Sequence, residues 1–279
     1  MFSSGCCATT SVEADGGPER ALGRCVFECS VTIESNAIAQ PGTDLPAVVI
    51  EVWSDIACPW CYVGKRRFAS ALAEFPEHER VSVIWRSYQL APDTPVGARR
   101  SQLELVGQRR GVPVEEAREL YQHVARVAAE DGVTMDVDAI IAANTFDAHR
   151  LLHLAGEHRD ELLEGLFRGY FTEGKAIDDR AVLVEIAAGA GLDPDETAAA
   201  LDGDAGADLV RADIETARQL QVSGVPFFVA DRRLAVSGAQ PVEIFTELLR
   251  RALEHADSAE SGAALGQEAE GCTDDSCAV

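Results

Sequence analysis

The feature that most constrains this chain is a pair of cysteines, Cys58 and Cys61, separated by a proline and a tryptophan. The mostly apolar, β-branched run 48–53 precedes the pair and predicts a buried strand. Apolar residues then recur at helical spacing and predict a helix over 59–74 with its proline in the first turn. At a helix N-terminus, unpaired N–H groups and the helix dipole stabilise an anion. The position therefore favours the thiolate form of Cys58, and Cys61, one turn further in, should be more buried.

A second motif, near the end of the chain, indicates which chemistry the cysteine pair performs. Residues 223–230 predict a short strand that opens with the Val225–Pro226 bond. A turn, a strand at 234–236 and a closing helix over 241–253 follow. Strand, hairpin and helix in this order form the second half of a thioredoxin fold. A lone Cys-x-x-Cys could be half of a zinc site, whereas a pair in this setting indicates redox use.

The organisation of the chain follows from these two motifs. Residues 98–221, between them, are predicted to be helical throughout. They separate a first thioredoxin-like part at 46–97 from a second at 222–255, so the predicted fold class is α/β, a thioredoxin fold with an inserted all-helical subdomain. Residues 1–45 lack periodicity and predict a disordered extension. Residues 256–279 predict a flexible acidic tail.

Several stretches of the chain resemble the DsbA-like thioredoxin family, in its FrnE-type branch of polyketide-synthesis dithiol–disulfide isomerases. These stretches are 54–65, 144–150, 166–171, 224–228 and 236–240. The resemblance spans nearly all of a predicted DsbA-like domain at 46–255. It implies a thiol–disulfide oxidoreductase or isomerase in which Cys58 forms a mixed disulfide with the substrate and Cys61 resolves it.

The same resemblance implies a substrate-binding surface around the cysteine pair. Pro59 and Trp60 shape the groove beside the nucleophile. Val225 and Pro226 bind the substrate backbone next to the sulfur, and the bond between them is expected to be cis although most X-Pro bonds are trans.

Two carboxylates and two histidines are further candidates for the site. Glu51 and Asp55 could accept the proton of Cys61 during exchange. Glu51 is better placed if it points inward, and Asp55 could instead cap the loop. His149 and His153 stand four residues apart, which suits a metal-ligand pair, but no third ligand follows at a fixed spacing. We therefore favour a pair on a helix surface and predict no metal site, while His149 could line the active-site groove.

The remaining cysteines lie near the two ends of the chain: Cys6, Cys7, Cys25, Cys29, Cys272 and Cys277. None lies between 62 and 271, which argues against a scaffold stapled by disulfides. Three hypotheses compete for the Cys272–Cys277 pair: an auxiliary redox pair for Cys58 and Cys61, a zinc site of four thiolates, or no role. We favour the redox pair, because a flexible linker over 256–271 could reach back to the active site.

Composition limits the classes of partner. The formal net charge of −23 disfavours nucleic acid. Neither a run of eighteen apolar residues nor a secretory signal peptide is present, so we expect no membrane partner and a cytoplasmic protein. The predicted partners are thiols and disulfides of proteins or small molecules; the pattern does not predict an oligomeric state.

Two other function classes stay open. Glutathione-dependent isomerases of the hydroxychromene-carboxylate type and kappa-class transferases resemble this chain in fold, but they usually carry serine where Cys58 stands. A zinc-binding regulatory protein without turnover is the third hypothesis. We expect no cofactor beyond the cysteine pair itself, with glutathione as a potential co-substrate and zinc as a less favoured ligand.

Overall fold

The computed structural model describes the backbone of residues 26–28 and 47–267, with side chains over 47–259. The described elements, in chain order, are β1 (Val26–Glu28), β2 (Val48–Ser54), α1 (Pro59–Glu74), β3 (Val81–Ser87), α2 (Gln102–Arg110), α3 (Val114–Glu130), α4 (Phe146–Leu154), α5 (Arg159–Phe171), α6 (Arg180–Gly189), α7 (Pro194–Asp202), α8 (Ala207–Gln219), β4 (Phe227–Ala230), β5 (Leu234–Ser237) and α9 (Val242–Gln267). Short 3₁₀ turns lie at His78–Arg80 and Gly156–His158.

Strands β2 to β5 form a mixed sheet in the order β5-β4-β2-β3. β2 and β3 are parallel, from Val48 opposite Val81 to Ser54 opposite Ser87, whereas the other pairs are antiparallel. A parallel pair needs a crossover, and α1 supplies it. Because helices cover both faces of β2, that strand is a nearly continuous buried run rather than an alternating one. The predicted α/β thioredoxin fold with a helical insertion is confirmed.

Two layers of helices enclose the sheet. α1 and α9 pack on one face through Phe68, Phe228 and Phe245, whose ring centroids lie 4.6–5.6 Å apart. On the other face, Trp53 packs beside Ala217 of α8 and donates its indole N–H to the backbone oxygen of Asp213. Such aromatic contacts account for much of the buried apolar area that stabilises the sheet.

The helical insertion docks against the outer side of α1. The ring of Tyr62 stacks on Phe167 of α5 with centroids 4.8 Å apart. The Tyr62 hydroxyl donates to Glu164 at 2.6 Å, and the Nζ atom of buried Lys65 lies 3.1 Å from the same carboxylate. Cys61 belongs to the same apolar cluster as these aromatic rings. The helix that carries the cysteine pair is therefore held on both sides.

The C-terminal helix is longer than the sequence predicted. The prediction of a flexible linker from residue 256 onward is wrong as far as Gln267, because α9 continues to that residue. The stretch 256–267 contains four alanines, and alanine is the strongest helix former. Asp257 also forms an ion pair with Arg80, and Ser258 donates to the backbone oxygen of Glu254 one turn earlier. The segment whose composition suggested a linker therefore continues the helix.

This long helix leads the tail away from the active site. Asp257 meets Arg80 at the end of the sheet opposite to Cys58. β2 spans about 20 Å, and the ten further helical residues to Gln267 add about 15 Å. α9 therefore carries the chain beyond the end of the sheet that is remote from the cysteine pair. The four residues between Gln267 and Cys272 reach at most about 18 Å.

Other predictions concern the two ends of the chain. The three-residue strand β1 pairs with β5 antiparallel, within the 1–45 region for which no strand was predicted. The remainder of that region, its four cysteines, and the tail cysteines Cys272 and Cys277 lie outside the described residues. Within the described residues, no helix is both long and apolar enough to span a membrane.

Candidate active site

Cys58 is the N-cap residue of α1, with Pro59 at the first helical position, as predicted. Its backbone N–H donates to the backbone oxygen of Asp55 at 3.0 Å, which closes a tight turn between strand and helix. The side chain is held against the second motif, since Sγ lies 3.5 Å from the Val225 backbone oxygen. The Val225–Pro226 bond is cis, as predicted. The two motifs that were 167 residues apart in sequence therefore meet at this sulfur.

Cys61 lies behind Cys58 and is fully buried. Burial raises the pKa of the Cys61 thiol well above its ordinary value, and the neighbouring Cys58 raises it further. The Asp55 backbone and the Ser54 hydroxyl act in the opposite direction. Both thiols are free, and only Cys58 lines the adjoining groove. The pair is thus asymmetric: Cys58 is 4% exposed and lines the groove, whereas Cys61 is fully buried and does not.

A groove of about 480 Å³ opens beside Cys58. Pro59 and Trp60, both partly buried, form its near wall. The far wall comes from helices α2 and α3 of the insertion, through Leu105, Val106, Leu120, Tyr121 and Val124. Arg109, Arg110 and His123 stand at its exposed edge. The groove therefore offers an apolar floor with cationic groups nearby, in a chain whose net charge is −23.

The ring of Pro226 lies close against α1 at Gly64. A Cβ atom built on Gly64 of α1 would lie 2.8 Å from Pro226 Cγ. Real Cβ atoms do not approach a neighbour so closely, so α1 can pack against Pro226 only with glycine at this position. Gly64 was part of the family stretch 54–65, but nothing in its own pattern indicated this contact.

The structure does not place Glu51 beneath Cys61. Its carboxylate is buried, but it bonds to Arg86 at 2.8 Å and to Arg232 at 2.9 Å. Successive strand residues point to opposite faces, and Glu51 shares the α8 face with Trp53 rather than the α1 face. The proposal that this carboxylate accepts the proton of Cys61 is therefore not favoured, and Glu51 is an ion-pair centre.

Asp55 is almost completely buried, and both its oxygens are engaged. Oδ1 accepts from the Ala57 N–H at 3.3 Å, and Oδ2 accepts from the Leu90 N–H at 2.7 Å. These bonds fit the alternative that Asp55 caps the loop before Cys58. The Oδ1 atom also lies 3.5 Å from Nε2 of His149, which faces it from α4.

The prediction that His149 and His153 form a pair on a helix surface is wrong. His149 is 3% exposed, and the His153 side chain is 11% exposed. Nε2 of His153 lies 3.0 Å from both Ser87 Oγ and Asp213 Oδ2. Burial alone raises the pKa of Asp213, but hydrogen bonds from His153 and from the Ser87 N–H outweigh it and lower that pKa. Both rings face inward because α4 packs against α8 and lies beside the ends of β2 and β3.

The comparisons with known proteins identify the family of this chain. The sequence profile of the DsbA-like thioredoxin domain matches residues 49–250. The chain belongs to the DsbA-like thioredoxin family. A probable DsbA oxidoreductase from Streptomyces coelicolor is 44% identical, with 74% of this chain and 89% of that chain covered and a TM-score of 0.70. The protein is therefore a member of a family of thiol–disulfide oxidoreductases.

Two further proteins are more distantly similar to this chain. The uncharacterized protein YwbO of Bacillus subtilis is 25% identical over 209 residues, which cover 72% of this chain and 96% of that protein. The cytosolic disulfide reductase DsbM of Pseudomonas aeruginosa, solved with GSH, is 23% identical, with 73% of this chain and 98% of that chain covered and a TM-score of 0.50. The second likeness shows the shared fold.

Sequence reasoning missed two parts of this DsbA-like site. The far wall of the groove comes from α2 and α3, where the pattern indicated only amphipathic helices. Ser54, at the end of β2, lies beside Cys61 and was read only as part of the family stretch. A serine at the end of a buried strand, four residues before the first cysteine, was the one available signal.

Proposed function

We propose that this protein is a thiol–disulfide oxidoreductase that acts through mixed disulfides formed on Cys58. The observation that supports this role is the asymmetry of the pair. Cys58 stands at a helix N-terminus on an open groove, whereas Cys61 is buried behind it. A helix N-terminus stabilises a thiolate, and the thiolate is the attacking species in disulfide exchange.

In the oxidising direction for the pair, the Cys58 thiolate attacks one sulfur of a substrate disulfide. A Cys58–substrate disulfide forms, and the second substrate sulfur leaves with the electron pair as a thiolate. Cys61 then loses its proton and attacks Cys58. The Cys58–Cys61 disulfide forms, the second substrate thiolate leaves, and the substrate has gained the two electrons that the pair has lost. The reverse sequence oxidises a substrate dithiol.

The groove suggests what kind of thiol or disulfide is accepted. Its apolar floor suits the flanking side chains of a peptide, and Val225 presents a backbone oxygen beside the sulfur. Arg110 and His123 at the edge suit a carboxylate in the substrate. We therefore propose cysteine-containing peptides and proteins as substrates, with glutathione as a co-substrate. We also propose that the protein belongs to the FrnE-type isomerase branch and acts in the cytoplasm.

The glutathione-dependent isomerase or transferase is the less favoured function. That chemistry, in the families that this chain resembles, usually has serine at the position of Cys58. Here a cysteine stands there with a second cysteine one turn behind it. A zinc-binding role is also less favoured, because a four-cysteine site would require the tail pair to cross the distance set by α9.

The experiment that tests the proposed function compares wild type, Cys58→Ser and Cys61→Ser in insulin reduction and in refolding of a scrambled disulfide protein. Each assay is run with and without glutathione. We expect wild type to be active, Cys58→Ser to be inactive in both assays, and Cys61→Ser to accumulate mixed disulfides. Full activity of Cys58→Ser would contradict the proposal, and isomerisation of a hydroxychromene carboxylate by Cys58→Ser would favour the alternative.

The tail pair Cys272–Cys277 remains a proposed auxiliary redox pair, but the course of α9 changes how it could act. Reach within one molecule would require the last turns of α9 to unfold. We therefore propose that the tail pair exchanges with Cys58 and Cys61 of a second molecule. Turnover per molecule should then rise with protein concentration in full-length protein and not after deletion of 268–279. The same concentration dependence in both proteins would contradict this proposal.

A further inference from the structure

A small cavity, separate from the groove, adjoins Ser54 at the end of β2. It has a volume of about 10 Å³, which is room for roughly one water molecule. Its polar lining comes from Ser54, Arg86, Ser87, His149 and His153, with Trp85 and Leu163 among the apolar residues around it. It lies where the ends of β2 and β3 meet α4.

Two polar atoms at this cavity lack partners. Ser54 Oγ and His149 Nε2 are buried and make no hydrogen bond to any described residue. Buried polar atoms nearly always have a partner, either in the protein or in ordered water. A single water in a site with several polar groups satisfies such atoms. Two unpartnered atoms on one water-sized cavity therefore point to a water that joins them.

Ser54 connects this cavity to the chemistry. Ser54 shares the α1 face of β2 with Ile50 and Val52, and its hydroxyl lowers the pKa of the buried Cys61 thiol. We propose that Ser54, one water molecule in the cavity and His149 together receive the proton of Cys61 when Cys61 resolves the mixed disulfide. This inference rests on the proposed function, because it concerns the second step of the exchange.

The step balances without any further reactant. The Cys61 S–H bond breaks, its proton passes to Ser54 Oγ as the hydroxyl proton moves to the water, and a water proton arrives on the neutral His149 ring. The Cys61 electron pair then forms the bond to Cys58 Sγ, and the substrate sulfur leaves as a thiolate. His149 holds the proton as imidazolium until it returns to the substrate thiolate or to solvent.

The charges around His149 suit this temporary positive charge. The Asp55 carboxylate faces the ring from the loop before α1, 3.5 Å from Nε2. From α8, the Asp213 carboxylate lies on the neighbouring His153, and Arg86 of β3 is in turn held by Asp213 and Glu51. Three buried carboxylates thus offset the imidazolium, Arg86 and Arg232, which also binds Glu51. Asp55, suggested by the sequence as a proton acceptor, acts here by stabilising the charge on the acceptor.

The test separates the two thiol steps in time. The full-length chain, with the other six cysteines replaced by serine, is reduced and mixed with dithiobis-nitrobenzoate. Attack by Cys58 releases the first nitrothiobenzoate, and attack by Cys61 on the resulting mixed disulfide releases the second. The variants are His149→Gln and Ser54→Ala, and the matched controls are His255→Gln and Ser70→Ala at exposed positions.

We expect the first phase to be the same in every variant. The second phase should be about 10- to 100-fold slower near neutral pH in His149→Gln and Ser54→Ala, and unchanged in both controls. In wild type the proton stays within the protein during this step, so the second phase should depend only weakly on pH. In the two variants the proton goes to hydroxide, and the rate should keep rising by about tenfold per pH unit.

Two results would overturn this inference. One is a second phase in both Ser54→Ala and His149→Gln with the rate and pH profile of wild type. The other is an equal slowing of both phases, which indicates a disturbed structure rather than a lost proton path. Absence of a fast first phase in the wild-type background would instead contradict the proposed role of Cys58, so the two failures are distinguishable.

Discussion

The thioredoxin-like part and the helical insertion contribute different things to this site. β2, α1 and the strand after Pro226 bring the two sulfurs and the Val225 backbone oxygen together. The insertion supplies the far wall of the groove from α2 and α3, and the buried histidines from α4. The cysteine pair is thus positioned by short local motifs, whereas the groove and the buried histidines depend on contacts between distant segments.

This difference explains how one fold can serve several chemistries. The position at the start of α1 requires only a capping residue, a proline and a helix, which a few residues specify. The groove wall and the cavity beside Ser54 can change without moving that helix. Substitutions in the two parts should therefore affect different steps of the reaction.

The largest expected effect is the loss of exchange in Cys58→Ser, because the hydroxyl cannot replace the thiolate as nucleophile or leaving group. A groove-wall variant, Leu105→Ala, should keep kcat within a few fold of wild type and raise KM for a peptide disulfide. Steady-state kinetics of both variants check this contrast. A loss of kcat in Leu105→Ala as large as in Cys58→Ser would remove the distinction between the two parts.

The next effect concerns packing within the thioredoxin-like part. Gly64→Ala places a methyl group 2.8 Å from Pro226 Cγ, so we expect a loss of about 1–3 kcal/mol in the free energy of unfolding and slower exchange. Gly189→Ala is the matched control, because no atom lies within 4 Å of its added Cβ. Urea unfolding measures both; equal stability of the two variants would show that α1 does not need this close approach.

A smaller effect is expected from charge at the edge of the groove. Arg110→Glu should raise KM about 3- to 10-fold for a disulfide that carries carboxylates and leave KM for its amidated form nearly unchanged. Arg126→Glu, which makes the same change in net charge at an exposed site of α3 outside the groove, is the control. Equal effects of both variants would indicate a general charge effect instead of a contact in the groove.

The smallest effect is a dependence of stability on pH. Because burial raises the pKa of Cys61 in the folded state, its contribution is complete below the unfolded value of about 8.5 and is lost as pH rises above it. The stability of the reduced protein should fall by up to about 1.4 kcal/mol per pH unit in that range. Cys61→Ala should remove this dependence of stability on pH, and Cys58→Ala should keep it. Urea unfolding of both variants under reducing conditions measures the dependence, and the same slope in both would contradict the account.

Much of the thioredoxin-like part could be predicted because its signals are local. The bounds of α1 followed from Pro59 and the apolar spacing after it, and the hairpin followed from the turn at 231–233. Neither the face of the sheet on which Glu51 lies nor the burial of His149 could be predicted in the same way. Both depend on which distant helix covers a strand or packs on α4, and a single sequence does not show that pairing.

The end of α9 was missed for a different reason. Its last turns are rich in residues that suit either a helix or a soluble linker, and Ala and Glu are typical of both. The contact between Asp257 and Arg80, 177 residues apart, favours the helix at that point. The ion pair between these distant residues therefore supports a helix where the local composition was compatible with either a helix or a linker.

The most direct test of the central claim is to identify which sulfur reacts first. The reduced full-length protein is treated near neutral pH with a limiting amount of iodoacetamide, and the labelled cysteines are identified by mass spectrometry of peptides. The account predicts that Cys58 is labelled well before Cys61, because it faces the groove at a helix N-terminus while Cys61 is buried and its pKa is raised. Labelling of Cys61 as fast as Cys58 or faster would contradict it.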